Sequence, residues 1–487
     1  MKVILINPDY LLYPFPPLGL AYLVSYLRKY SSNVDIILLD QISEKDMLKR
    51  IRLEKPDIVG FSSTSPHHWK VKKIALKVKK ICSSLLILGG IHVTNYPKTI
   101  ENSPFDIGVL GEGEITFKKL IDNIEINGRL NLKELKKISG LVLKENGKIF
   151  NTGKGERVEN LDDVPIPARD LLDMKYYSSP SFSDKDTFES TGLMFTSRGC
   201  PYNCSFCSST RFWGNSVKFF SAERVANEIE ILYNKYHYRI IQIYDDLFSI
   251  NKLRLKEIIS ILDKKGILGK IKFKVFGRGN CFDEEIVILL KELGVIEVGF
   301  GIETGSEKIL NMIKDKITLQ DDIDAINLCR KHGIQPLGAF MFGMPYETEE
   351  DLKKTWDFIS KYISDRFVIA QMSAFPGTPI WDYAIKNKLI KEDIFEKEER
   401  RFLEFNEEDS LSLELPKGVL TEYWEKFLKL GPGDVFGWRK IIEIFGPSNK
   451  FGIKKISTLK LNHLSILFNL LFLKKVYSIL IKKEKQG

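Results

Sequence analysis

Ser197-Arg-Gly-Cys200-Pro-Tyr-Asn-Cys204-Ser-Phe-Cys207 gathers three of the chain's six cysteines onto one short loop, directly after the apolar run Leu193–Thr196. A strand that ends in such a loop offers a metal several thiolates on a single arc, and a loop of this length can wrap one corner of an iron–sulfur cubane. Three cysteines then leave one iron without a protein ligand. Zinc would want paired cysteine hooks with two further ligands at a distance, and no second hook exists: Cys82, Cys281 and Cys329 are scattered. A purely structural grouping of three cysteines is the plain alternative. Cys281 and Cys329 are expected to be buried small hydrophobes.

Downstream of the loop the chain alternates strand and helix patterns. The strands are Leu193–Thr196, Ile240–Tyr244, Phe273–Gly277, Val295–Ile302, Leu337–Phe342 and Ile369–Ala374. Helical patterns fill the gaps, for example Ala222–Tyr236, Lys252–Lys265, Glu284–Leu293, Leu319–Lys331 and Thr348–Tyr362. This spacing suits a partial (β/α)6 barrel over residues 186–400 better than a closed eight-fold one.

Upstream, residues 1–127 also alternate: Val3–Ile6, Leu18–Leu27, Val34–Leu39, Met47–Leu53, Ile58–Ser62, Trp69–Ile81, Leu85–Leu88, Ile107–Leu110 and Glu114–Ile126. That is the pattern of a doubly wound α/β domain with a parallel sheet, which binds ligands beyond the carboxyl ends of its strands. The residues there are Asn7-Pro8, Ser62-Ser63-Thr64, Gly89-Gly90-Ile91-His92 and Gly111-Glu112-Gly113-Glu114. Glycine lets backbone approach a bulky ligand and hydroxyls donate short bonds; ordinary βα turns carry the same residues. Residues 128–185, with Asp163-Val-Pro-Ile-Pro-Ala168, are expected to be a connector.

The whole chain of 487 residues is 44% apolar and 28% charged, the balance of a globular protein. Its cysteine usage is not a disulfide framework, and Met1-Lys-Val-Ile-Leu-Ile-Asn7 is expected to be a buried strand and not a leader, so the expected compartment is the reducing cytoplasm. The net charge of +9 is concentrated in the tail, where nine lysines face the single acid Glu484 between Ser448 and Gly487. The body is therefore not built for nucleic acid. Residues 401–487 are expected to form a small helical, basic extension. Its run Leu464–Leu473 is too short to span a bilayer, but flanking lysines suit a peripheral contact with anionic lipid; a terminal helix packed on the barrel is the competing reading.

Cys200-x3-Cys204-x2-Cys207, with Phe206 before the last ligand, resembles the signature of the radical S-adenosylmethionine (SAM) superfamily. The resemblance implies a [4Fe–4S] cluster on Cys200, Cys204 and Cys207, whose open iron binds the amino and carboxylate groups of SAM. It further implies reductive cleavage of SAM to a 5′-deoxyadenosyl radical that abstracts hydrogen from substrate, with an electron donor such as flavodoxin or ferredoxin. By the same resemblance Phe206, Tyr244, Asp245, Arg278, Glu303 and Phe342 contact SAM: Tyr244-Asp245-Asp246 at its amino end, Arg278 at its carboxylate, Glu303 at the ribose hydroxyls, and the strand of Phe342 at adenine.

Pro16–Leu23, Leu88–Thr94 and Val109–Thr116 resemble the cobalamin-binding half of B12-dependent radical SAM proteins. This implies cobalamin at Ser62, Thr64, Gly89, Gly90, His92, Gly111, Glu112 and Gly113. No Asp-x-His-x-x-Gly occurs, so the usual histidine ligand to cobalt is not encoded; the resemblance is to members whose lower cobalt face is open or water-bound. His67, His68 and His92 are nearby, but a histidine in a βα loop is more often a hydrogen-bonded packing residue. The expected function is methylation of an unactivated carbon in a small-molecule or lipid-like substrate. Radical cyclisation or coupling is the second reading, and a non-catalytic [4Fe–4S] or SAM-binding sensor the third. Methylthiotransferases share the loop but need three more amino-terminal cysteines, of which only Cys82 is present.

Overall fold

The structure is a computed structural model that describes residues 1–8, 15–128, 130–177, 179–182, 188–397 and 405–430. The amino-terminal half is built on strands β1 (Lys2–Ile6), β2 (Asp35–Leu39), β3 (Ile58–Ser62), β4 (Leu85–Gly89) and β5 (Ile107–Val109). They are linked through helices α1 (Leu18–Tyr30), α2 (Glu44–Glu54), α3 (His68–Lys79), α4 (Ile91–Asn95) and, after β5, α5 (Gly113–Asn127). The sheet runs in the order β2-β1-β3-β4-β5, all parallel. Successive residues of β1 serve opposite faces. Val3 and Leu5 join the core beneath α1 and α5, while Ile4 and Ile6 join the one beneath α2 and α3. A strand covered on both faces in this way reads as an unbroken apolar run.

The expected connector is more tightly integrated than its composition suggests. After the short helix α6 (Leu132–Leu135), strands β6 (Leu141–Glu145) and β7 (Lys148–Asn151) add to the first sheet as antiparallel partners of β5, so that sheet has seven strands. Leu141, Val142 and Leu143 are fully buried there.

The second sheet has the order β16-β15-β14-β13-β12-β9-β8. An edge strand β8 (Ser179–Phe182) runs antiparallel to β9 (Phe188–Met194). A two-stranded ribbon, β10 (Ser197–Arg198) and β11 (Lys218–Phe219), encloses the cysteine loop and α7 (Ser209–Trp213). Then follow α8 (Ala222–Asn234), β12 (Ile240–Ile243), α9 (Lys252–Lys264), β13 (Lys272–Gly277), α10 (Glu284–Leu293) and β14 (Val295–Glu303). The barrel continues through α11 (Glu307–Ile313), α12 (Leu319–Lys331), β15 (Gln335–Phe342), α13 (Glu349–Phe358) and β16 (Phe367–Gln371). β9 and β12 to β16 are parallel, a six-stranded partial barrel. Helices α14 (Pro379–Lys386), α15 (Ile394–Lys397) and α16 (Val419–Leu430) follow.

The core that holds Val3 and Leu5 continues without a break to Met194, Ile241 and Phe300 of the barrel. The two halves therefore share one apolar interior. The basic tail, including Leu464–Leu473, lies outside the described residues. No helix among the described residues is long and apolar enough to cross a membrane.

Candidate functional site

The cysteine loop leaves the carboxyl end of β9 through the ribbon, and Gly199 makes the departure possible. Its φ is +103°, and a Cβ there would stand 2.4 Å from the Ser216 carbonyl oxygen. Only glycine fits that turn. The loop is then tied across the barrel mouth, with Ser205 N donating to Ile313 O at 2.8 Å and Ile380 N donating to Ser205 O at 3.3 Å.

Cys200, Cys204 and Cys207 are half-buried. Burial pushes the Cys200 thiol up to about 11 and the Cys207 thiol up to about 12, so loading a metal must displace protons. Arg278 Nη1 donates to Cys204 Sγ at 3.4 Å, and Ser209 N donates to Cys207 Sγ at 3.4 Å. Three thiols on one loop, with donors already on two of them, suit a cluster that carries negative charge.

Around this loop the strand ends of the barrel bring in the other expected residues, in differing postures. Arg278, 5% exposed, stacks 3.9 Å over the Tyr202 ring. Glu303 ends β14 at a register shift, with a left-handed backbone of φ +74° that is costly for a non-glycine residue. Burial raises its carboxyl to about 7 against the opposing pull of Lys314. Such strain and such a shift are common where a carboxylate is held for a task.

Three expectations need correction. Asp245 is turned into the protein: Thr196 N donates to its Oδ1 at 2.6 Å, Ser197 Oγ to its Oδ2 at 2.7 Å, and the Thr196 hydroxyl to the same oxygen. It braces the root of the cysteine loop, and its exposed neighbour Asp246, bonded to Ser209 Oγ at 2.5 Å, faces the loop instead. Phe342 is fully buried on the outer side of β15, its ring against Phe405, Trp424 and Phe427. By the two-residue alternation of a strand, Met341 takes the other side, where it packs on the same cluster as Phe206. Cys281 is half-buried and not a core residue; its Sγ lies 3.3 Å from the Tyr202 hydroxyl. Cys329 is buried as expected. For Phe342 only the strand phase could have decided, and boundaries read from sequence do not give phase; Asp245 and Cys281 lie in turns beyond strand ends, where sequence pattern gives no direction.

A cavity of about 350 Å³ lies beyond the carboxyl ends of β3, β4 and β5. Gly60, Ser62, Gly89, Gly90, Gly111 and Gly113 line its first-sheet side, and Phe195, Arg198, Phe212 and Trp213 close it from the cysteine-loop side. Gly90 adopts φ +94°, and a Cβ there would lie 2.8 Å from Ser63 O. Glycines set among apolar side chains such as Leu20, Tyr22 and Phe117 fit the close approach of a large ligand. Glu112 lines the cavity, yet its carboxylate is already engaged by Arg157 Nε at 2.7 Å and Arg198 Nη1 at 2.8 Å. Thr64 and His92 are not among the lining residues; His92 is fully buried and Thr64 exposed.

Comparison with known proteins agrees with this architecture. The radical SAM superfamily profile matches residues 194–359, and the B12 binding domain profile matches residues 6–121. An uncharacterized methyltransferase of Pyrococcus horikoshii is 39% identical over 380 residues, covering 77% of this chain and 80% of its own. The cytidylyl-2-hydroxyethylphosphonate methyltransferase of Streptomyces wedmorensis is 26% identical, over 82% of this chain and 83% of its own. The anaerobic magnesium-protoporphyrin IX monomethyl ester cyclase of Rubrivivax gelatinosus is 27% identical, over 78% and 69%. Among solved structures, the radical SAM methyltransferase TsrM from Kitasatospora setae superimposes with a TM-score of 0.67 at 21% identity, covering 80% of this chain and 77% of that one. The cobalamin-dependent SAM radical enzyme OxsB gives 0.68 at 19% identity, over 92% and 69%.

The chain belongs to the radical SAM superfamily. Within it, the chain is one of the enzymes that carry an amino-terminal B12-binding domain, and its cofactors are a [4Fe–4S] cluster, SAM and cobalamin.

Proposed function

We propose that this protein transfers a methyl group to an unactivated carbon of a small molecule. When bound, the cluster and SAM supply a hydrogen-abstracting radical, and cobalamin supplies the methyl group. The chain's own residues would hold these groups on two neighbouring loops. Cys200, Cys204 and Cys207 hold the cluster, Arg278 and Asp246 border SAM's methionine end, Glu303 accepts the ribose hydroxyls, and Met341 with Phe206 forms the apolar side. Ser62, Gly89, Gly90, Gly111 and Gly113 form the cobalamin floor.

One observation carries the reading. Arg198, two residues before Cys200, donates from Nη1 to Glu112 at 2.8 Å and from Nη2 to Glu114 at 2.8 Å. A single buried guanidinium thus sets the cysteine loop against the glycine-rich loop of the other half, as transfer between two cofactors requires. The 39% identity to a methyltransferase of matching length supports the same reading.

The likeness to the protoporphyrin ester cyclase favours a second reading, radical cyclisation without net methyl transfer. Both require a one-electron donor such as flavodoxin or ferredoxin. The lysine-flanked apolar tail supports a peripheral contact with anionic membrane and, with it, a lipid-like substrate. The test is anaerobic protein loaded with cobalamin and incubated with methyl-labelled SAM in host extract. A labelled small-molecule product together with 5′-deoxyadenosine supports methyl transfer. An unlabelled, dehydrogenated or ring-closed product supports cyclisation. Finding neither a changed product nor any 5′-deoxyadenosine would make the protein a sensor.

A further inference from the structure

Beneath the cobalamin floor, on the side away from the cavity, two histidines and a glutamate meet in the interior. The loops Ser62–Ser65 and Gly89–His92 divide their residues between two tasks. Ser62, Gly89 and Gly90 line the cavity, while Ser63, Ser65 and His92 face inward toward His68 at the start of α3. His68 and His92 are both fully buried, and their rings stack with centroids 4.0 Å apart. Glu396 reaches them from α15, far along the chain and beyond the barrel.

Each imidazole is held by its Nδ1. Ser63 Oγ lies 3.3 Å from His68 Nδ1, and Ser65 Oγ lies 3.0 Å from His92 Nδ1. Both Nε2 atoms are thereby aimed at one oxygen: His68 Nε2 stands 3.5 Å and His92 Nε2 3.8 Å from Glu396 Oε1. His92 Nε2 is buried and has no hydrogen-bond partner. The Thr99 hydroxyl touches both His68 Nε2, at 2.9 Å, and Glu396 Oε1. Lys72 Nζ takes the other carboxylate oxygen at 2.7 Å, leaving Oε1 turned inward.

We infer that His68, His92 and Glu396 form a binding site for a first-row divalent cation, zinc by the nature of its ligands, which clips α15 to the underside of the cobalamin floor. The three donor atoms lie within 4.8 Å of one another. The edges of 3.5 and 3.8 Å to Glu396 Oε1 are spans that two bonds of about 2.0–2.1 Å can bridge, and a turn of one imidazole out of its 23° stack would bring both ring lone pairs onto one ion. Hydroxyls on both Nδ1 atoms are the outer partners that a metal-bound imidazole needs to fix its tautomer. Two imidazoles and a carboxylate select zinc or a similar ion over calcium or magnesium. The site uses none of the cysteines and stands apart from both cofactor sites, so it does not depend on the proposed methyl transfer.

The test uses the full-length protein with its cluster assembled, so that the cysteines are occupied. It is given zinc sulfate and desalted; iron and zinc are then counted, and the zinc environment is read by X-ray absorption. One zinc is expected beside about four irons, with nitrogen and oxygen neighbours at about 2.0–2.1 Å. His92→Gln and Glu396→Gln are each expected to weaken zinc binding at least a hundredfold with iron unchanged.

No retained zinc at full iron content overturns the site. So does zinc retained equally by both variants, or sulfur scattering at about 2.3 Å. Should either variant lose iron as well, Ser65→Ala carries the test, because all three ligands remain. A drop in zinc affinity of about tenfold or more supports the site, and an unchanged affinity rejects it.

Discussion

Arg198 and Glu112 form a buried ion pair, Nη1 to Oε2 at 2.8 Å, that joins the cysteine loop to the glycine-rich loop after β5 across the boundary between the two halves of the protein. The guanidinium is 5% exposed and also lies over the rings of Tyr22 and Trp213, at 5.2 and 5.4 Å. Arg157 Nε satisfies the second Glu112 oxygen at 2.7 Å, so no lone carboxylate is left in the interior. A buried charge set of this kind adds little net stability when complete and costs much when broken.

Removing Arg198 takes the guanidinium from Glu114 and leaves Glu112 held by Arg157 alone. Arg198→Met is expected to lower unfolding free energy by about 3–5 kcal/mol in denaturant titrations. Arg198→Lys should recover part of that loss but not the two-pronged geometry. Cobalamin retention on desalting should fall in both; full retention by Arg198→Met would separate the ion pair from cofactor placement.

Cys204→Ala removes the central thiolate of the loop. Loss of both the broad visible absorption of a thiolate-held cluster and of SAM cleavage is expected, with the fold retained by circular dichroism. Persistence of the absorption would reject the ligand assignment.

Gly199→Ala puts a Cβ 2.4 Å from the Ser216 carbonyl oxygen at a residue with φ +103°. The strain should cost about 1–3 kcal/mol and lower the iron content of reconstituted protein. Wild-type iron occupancy would show that the loop can leave β9 by another path.

Glu303 carries a carboxyl raised from 4.5 to about 7, chiefly by burial. Because the folded state holds this proton more tightly than the unfolded chain, the residue's contribution to stability falls as pH rises through that window and is least favourable above it. If the ionised form receives the ribose hydroxyls, SAM affinity moves in the opposite sense and rises by about tenfold between about pH 6 and pH 8. Binding titrations on wild type and Glu303→Gln check this: the variant should be flat across the range, and an equally steep profile in it points to another group.

Phe342 and Met341 occupy opposite faces of β15. Phe342→Ala should cost about 3–5 kcal/mol of stability with SAM affinity little changed, whereas Met341→Ala should weaken SAM binding at a smaller stability cost. Reversed outcomes would place the adenine side of the site on the outer face of the strand.

Much of this protein is written in short-range pattern. The period of apolar residues located the strands and helices of both halves to within a few residues, and the spacing of Cys200, Cys204 and Cys207 singled out one loop as the candidate for a cluster, because thiolates on one tight turn need no distant partner. What the linear chain left open was direction and company. Whether Asp245 or Asp246 faces the loop is set in a turn beyond the end of β12, where sequence pattern gives no direction. Whether Phe342 or Met341 faces the barrel interior depends on the phase of a two-residue alternation that a boundary shift of one residue reverses. The enlistment of β6 and β7 into the first sheet, the clamp of Arg198 on Glu112 and Glu114, and the meeting of His68 and His92 with Glu396 join residues remote in sequence. Such pairings are selected when packing brings buried charges together and they must find partners, so only the tertiary structure decides them.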